Sequence, residues 1–183
     1  KREQLLAAAV KVFSKNGFYQ SRVEEIAAEA NVGKGTVYEY FKSKQDLFQE
    51  MLKYITNIYF DGFLEEIQRK ETLKLRLKLL LNSNLKFMLE NKEMTRVFMS
   101  EHPPLDEKFK GWLFSKERER LELLEDLISD GIKAGEIREV DVSVTATVLL
   151  GVVNGVGSTF VIGDDRELHD IENIVEKTVD LLY

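Results

Sequence analysis

The chain has 183 residues, 44% of them hydrophobic, and a formal charge of -6, enough to bury a core as one large domain or two small ones without covalent staples. The absence of cysteine excludes disulfides, thiolate metal sites and a thiol nucleophile, and the opening "KREQLLAAAV" lacks the apolar stretch and cleavage site of a secretory signal, so a reducing cytoplasm is expected. Charge divides unevenly, with residues 1–48 carrying +2 and the remainder -8: a slightly basic head on an acidic body.

Taken in chain order, Leu5, Leu6, Ala9, Val10 and Phe13 form an apolar stripe of helical period. Asn16-Gly17 should end that helix, with glycine in a left-handed position and Phe18 folding back on Phe13. The chain opens on Lys1 rather than Met, which leaves room for an arm ahead of it. Ser21 with Glu24 three residues on reads as a capping box for a second helix, whose inner face is Val23, Ile26, Ala27 and Ala30. A third short helix should run from Lys34 to about Phe41.

Between these two helices stands "NVGKGTVYEYF", residues 31–41, which admits two readings. A phosphate-binding loop needs G-x-x-x-x-G-K-[ST] after a buried strand. Aligned on Gly33-Lys34, Ala28 falls where the first glycine belongs and Gly35 where the hydroxyl belongs, and the preceding segment reads as helix. A helix-turn-helix accounts for each residue instead. Ala27 and Ala30 are small enough for two helices to cross closely, Asn31-Val32-Gly33 makes the turn, and Val32 and Val37 point inward. The outer face then carries Lys34, Thr36, Tyr38 and Tyr40, suited to phosphates and base edges in a major groove. Gly35 removes a side chain where backbone must approach closely. Glu39 should point away from phosphates or accept from a cytosine amino group.

Ser43 and Asp46 start a long fourth helix with Phe48, Met51, Leu52, Ile55, Tyr59, Phe63 and Ile67 on one face. Leu73, Leu77, Leu80, Leu81, Asn84 and Met88 mark a fifth, and "MTRVFMSE" a short sixth. Pro103-Pro104 precede a charged seventh helix ending near "DGIKAGEI". Residues 142–162 carry no charge over about the length of a membrane span. Their Thr, Ser and Asn, and the lack of basic or aromatic flanks, favour a helix buried in protein. Residues 167–183 supply the last of about nine helices, with no competing strand alternation.

The string "GFYQSRVEEIAAEANVGKGTVYEYFKSKQDLF" resembles the TetR family of bacterial transcriptional regulators, the likeness of motif covering residues 2 to 48. It implies an all-α fold with an N-terminal three-helix helix-turn-helix DNA-binding domain (1–46) and a C-terminal ligand-binding and dimerisation domain (47–183). Lys34 and Gly35 would approach bases, Thr36, Tyr38 and Tyr40 would contact bases or phosphates, and Lys44 and Arg22 would hold phosphates near helix N-termini. Gly33 departs from the serine common at that cap, a small change.

In that family the remaining helices pair subunits and enclose an effector. The resemblance therefore implies a homodimer interface at Gly151, Gly155 and Gly157 with Ile171, Ile174, Val175, Thr178 and Leu182. It also implies an effector pocket among Phe60, Phe63, Asn84, Phe87, Met88, Phe98, Met99 and Trp112. The apolar lining suggests a hydrophobic effector, a fatty acyl thioester first and an aromatic or cationic drug-like compound second. Asn84 is read equally well as a hydrogen-bonded core residue. His102 and His169 lack ligand-spaced neighbours, so no metal or cofactor is expected, and no convergent catalytic set points to an enzyme. The expected function is a ligand-responsive repressor on double-stranded DNA carrying an inverted repeat, cytoplasmic and on the nucleoid when bound. An effector-independent DNA-binding or activating protein is the alternative.

Overall fold

A computed structural model describes the backbone of residues 1–100, 104–162 and 168–183, and their side chains except at 98–100, 162 and 168–170. The described residues form nine helices and no strand: α1 (Arg2–Gln20), α2 (Val23–Glu29), α3 (Lys34–Tyr40), α4 (Lys44–Ile67), α5 (Leu73–Glu90), α6 (Lys92–Ser100), α7 (Glu107–Lys133), α8 (Val142–Ile162) and α9 (Leu168–Asp180). Packing divides them into two compact units, Lys1–Ile58 with Asn91–Gly111, and Tyr59–Glu90 with Trp112–Tyr183. Both α4 and α7 run through the two units.

In the first unit, α1 breaks at Gly17, the residue expected to end it. The glycine takes φ 74°, ψ 174° as a kink, and helical bonding resumes to Gln20. Phe18 still folds back, its ring stacked 5.9 Å from that of Phe13, and Phe48 meets both edge-on at 5.0 Å. Such aromatic contacts add to the area that the rings bury. Leu6, Ile26, Val37, Phe41, Leu47 and Met51 complete this core, and α6 packs on α1.

Of the two caps expected, one differs in use. Ser21 is buried, and its hydroxyl donates to the Gly17 carbonyl at 2.5 Å and the Val12 carbonyl at 3.3 Å. The N-cap of α2 is therefore Arg22, whose N–H is taken by Glu25 Oε2 at 2.8 Å. Ahead of α4, Ser43 Oγ accepts from the Asp46 N–H at 3.0 Å, and Asp46 reaches back to the Lys42 N–H at 2.7 Å, as that pair of residues foretells.

The second unit is organised on α5, which packs against both α8 and α9. Leu77, Leu80, Leu81 and Leu85 of α5 meet Leu149 and Val153 of α8 and Val175 and Val179 of α9 in one core with Leu124 and Ile128 of α7. Each such fully buried side chain contributes about 1.5–3 kcal/mol. α7 ends in a left-handed Gly135 (φ 71°), with the Glu136 N–H on the Gly131 carbonyl at 2.9 Å and the Gly135 N–H on Ile132 at 3.0 Å. The Glu136 carboxylate then accepts the Leu73 N–H at 2.7 Å and so caps α5.

Among the described residues α8 alone is long and apolar enough to cross a membrane, yet it lies on α5 through Ala146, Leu149, Val153 and Phe160. It is not buried all round: Val144 and Val148 are 59% and 52% exposed.

Candidate functional site

The turn between α2 and α3 is built by the residues foreseen. The Val32 N–H bonds the Ala27 carbonyl at 2.9 Å and the Asn31 N–H the Ala28 carbonyl at 3.0 Å, the paired closure that needs a left-handed residue after the helix. Asn31 supplies it at φ 53°, while Gly33 takes an ordinary φ of -74° as the N-cap of α3. Ala27 and Ala30 are buried at the crossing, with Val37 at 1% exposure beneath α3.

With Val37 inward, Lys34, Gly35, Tyr38, Glu39 and Tyr40 lie on the open side and Thr36 half so. Tyr38 and Tyr40 are 47% and 43% exposed, more than core tyrosines would be. A Cβ at Gly35 would meet nothing within 4 Å, so no packing inside the protomer calls for glycine there. Lys34 extends toward α2, its ammonium 2.6 Å from Glu24 Oε1 and 5.8 Å from the Tyr38 ring centroid. Their hydrogen bond lowers the Glu24 pKa and raises that of Lys34.

Lys44 has a different environment from the one expected. Its ammonium donates to the carbonyls of Phe18 at 2.9 Å, Tyr19 at 3.2 Å and Ser21 at 3.1 Å, and lies 4.6 Å over the Phe18 ring. An ammonium has three N–H donors, so Lys44 is spent on the exposed carbonyls ending α1. Arg22 is exposed at the start of α2.

Among the residues assigned to the effector, Phe60 and Phe63 are buried with rings 6.2 Å apart, and Phe87 stands 4.9 Å from Tyr59. Asn84 is 3% exposed, and Trp112 is half-buried. Met88 of α5 packs against α8, where a Cβ at Gly157 would come 2.4 Å from its sulfur. The side chains of Phe98, Met99 and His169, and all of His102, lie outside the described residues. Two cations here escaped the sequence reading, Lys116, 4.3 Å over the Phe60 ring, and Arg120, at 7% exposure beside Tyr59. Arg120 stands one turn before Leu124 on the buried face of α7, a cation within an apolar stripe that the surrounding run of charges hides.

The residues assigned to a dimer interface separate into two groups. Gly157, Ile171, Val175 and Leu182 are buried within the protomer, because α5 already occupies that side of α8 and α9. Gly151 and Gly155 are exposed with no atom within 4 Å of a Cβ, and Ile174 and Thr178 are half-buried. Gly151 also lines a groove of about 360 Å³ with Thr147, Leu150 and Asn154 of α8 and Phe114 and Leu121 of α7. Among the described residues no group of three or more acidic or histidine side chains could hold a metal ion.

Comparison with known proteins matches residues 5–51 to the family of bacterial regulatory proteins, tetR family, and residues 70–158 to the tetracyclin repressor-like C-terminal domain. The chain is similar to the fatty acid metabolism regulator protein of Bacillus subtilis (strain 168), 28% identical over 98% of this chain and 92% of that one. It is similar also to the nucleoid occlusion factor SlmA of Sodalis glossinidius, 30% identical over 88% of this chain and 83% of that one. Among solved structures, the transcriptional regulator FadR from Bacillus subtilis in complex with stearoyl-CoA gives a TM-score of 0.81 at 27% identity, covering 100% of this chain and 97% of that one.

Proposed function

Because the chain belongs to the TetR family of bacterial regulatory proteins, we propose that it is a cytoplasmic homodimeric repressor that reads an inverted repeat through α3 and is released by a fatty acyl thioester. The observation that carries the DNA half is the open face of α3. Lys34, Tyr38 and Tyr40 project from it around a Gly35 that no internal neighbour requires. A reader that presses backbone and side chains into a major groove needs that clearance. Arg22 and Thr36 extend the contact to phosphates, and Lys44 holds the end of α1 in place behind it.

Two such heads on a two-fold axis read half-sites about one helical turn apart, or a multiple of that. The exposed Val144, Val148, Gly151 and Gly155 of α8 supply an uncharged, apolar flank for the two-fold contact, with Ile174 and Thr178 of α9 half-buried. The effector half rests on two supports: the aromatic set Phe60, Phe63 and Phe87 in the second unit, and the near full-length likeness to a fatty acid metabolism regulator and to a regulator bound to stearoyl-CoA. A ligand held there would favour a spacing of the two heads that no longer fits successive grooves, and DNA would weaken ligand binding by the same factor.

The test is selection from a random duplex library, followed by titration of the recovered duplex complex with stearoyl-CoA. An enriched palindrome released by the thioester is the expected result. A palindrome whose complex ignores acyl thioesters would favour the second reading, a DNA-binding protein without an effector. A library without enrichment would overturn the DNA half.

A further inference from the structure

Arg120 of α7 is 7% exposed, a rare place for a permanent cation. Its Nη1 donates to the Tyr59 hydroxyl at 2.6 Å and its Nη2 to Glu117 Oε1 at 2.7 Å, whereas Nε is shielded from solvent with no acceptor. Glu117 is a weak counter-charge, since its side chain is 54% exposed and its field is screened by water. The Tyr59 phenol, accepting from Arg120, keeps its own proton to donate. A buried guanidinium serving packing alone would have its edges satisfied or be replaced by an apolar side chain at little cost.

The surroundings give that donor edge a direction. Lys116 lies one turn before Arg120 on the same side of α7, its side chain 26% exposed and its ammonium 4.3 Å over Phe60, with the half-exposed Glu119 carboxylate at 2.9 Å leaving two of its three donors. Tyr59 in turn contacts Phe87 at 4.9 Å. Two cations and a phenol thus border an aromatic cluster, the arrangement that would hold a chain with a charged head. Arg76 also has a shielded Nε without a partner, but it is only half-buried and its guanidinium is given to the Ile67 carbonyl at the end of α4.

Building on the effector reading above, we infer that Arg120, with Tyr59 and Lys116, is the polar anchor of that site and takes an oxyanion at the head of an acyl ligand, a phosphate or a carboxylate. The unused guanidinium donors and the phenol proton bind the oxygens, and the rings receive the chain. Arg120 is then what separates charged acyl ligands from plain hydrocarbon chains.

The experiment measures binding of palmitoyl-CoA, palmitate and hexadecanol by calorimetry to the full chain and to Arg120→Met and Arg120→Lys. The wild type should bind at least one charged ligand about tenfold or more tighter than hexadecanol, as one charge-assisted bond pair allows. Arg120→Met should lose that preference while keeping its hexadecanol affinity and its binding to duplex DNA, with Arg120→Lys between. Dependence on Arg120 for palmitoyl-CoA alone assigns a phosphate head, and for palmitate alone a carboxylate. Equal binding of all three ligands by the wild type, or equal losses for all three in Arg120→Met, overturns the anchor and leaves the effector reading standing. A wild type that binds none of them overturns both.

Discussion

Lys34 and Glu24 join the two helices of the reading head across its outer face, ammonium to carboxylate at 2.6 Å. Each partner holds the other charged: their hydrogen bond depresses Glu24 and elevates Lys34. A depressed carboxylate contributes above its unfolded pKa and is lost only as pH falls through the folded one. An elevated lysine is lost only as pH rises through its folded pKa. The pair therefore persists from about pH 6 to 9, and it should add no pH slope to DNA binding there. It does compete with DNA for Lys34. Glu24→Gln should raise affinity for any duplex several-fold at low salt and steepen the salt dependence by up to about one phosphate, with selectivity reduced. Fluorescence anisotropy across a salt series reads both, and unchanged affinity would mean that Lys34 does not face the duplex.

Lys34 and Lys44 should part company on substitution. Lys34→Ala leaves folding intact, costs about 1–3 kcal/mol of binding if it meets a base, and relaxes sequence preference. Lys44→Met removes three charge-assisted bonds to the end of α1 and should cost about 1–3 kcal/mol of stability, with the salt slope that of the wild type. Urea melts and salt titrations decide. An unchanged melt with a slope shallower by about 1 would return Lys44 to the phosphate backbone.

What could be read in the sequence was local. The turn at Asn31-Val32-Gly33, the Ser43 and Asp46 caps and the open face of Lys34, Tyr38 and Tyr40 follow from residues within one or two turns of each other. Misplacements arose where a distant element decides. Ser21 leaves the α2 cap because α1 bends back at Gly17 and offers carbonyls. Gly157 and Val175 look inward because α5 lies between α8 and α9, a neighbour that periodicity does not name. Arg120 sits in a run of charges, "SKERERLE", that reads as solvated surface until Tyr59 is brought beside it.

Two glycines two residues apart on α8 should respond oppositely to the same change. Gly155 has open space where a Cβ would go, whereas at Gly157 the added atom falls 2.4 Å from the Met88 sulfur. Leucine is better than glycine inside a helix by up to about 1 kcal/mol. Gly155→Leu should therefore leave the protomer as stable or more so, while weakening the dimer if this flank is the two-fold contact. Gly157→Leu should destabilise the protomer by about 1–3 kcal/mol through overpacking against α5. Sedimentation over a dilution series, beside thermal melts, separates the outcomes. A Gly155→Leu dimer as tight as the wild type would move the contact off this flank.

Gln49 and Asp106 make the first unit depend on the start of α7. Asp106 Oδ1 caps that helix through the Phe109 N–H at 2.7 Å. With the Gln49 amide turned to the orientation that suits its neighbours, its nitrogen donates to the other Asp106 oxygen at 3.0 Å and its oxygen accepts the Asp106 N–H at 3.2 Å. Gln49 is 5% exposed, so an unpartnered amide there is poorly placed to replace its bond with one to water. Asp106→Ala should cost about 0.5–2 kcal/mol for the cap and about 1–3 kcal/mol more for the stranded amide. In a Gln49→Leu background the second cost vanishes, so Asp106→Ala should there be milder by that amount. Asp106→Asn keeps a good capping side chain and should be the least harmful of the three. Chemical denaturation of the four members of the cycle gives the coupling directly. Additive losses would show that Gln49 draws its stability from Gln45, whose amide also reaches it at 3.2 Å, rather than from the α7 cap.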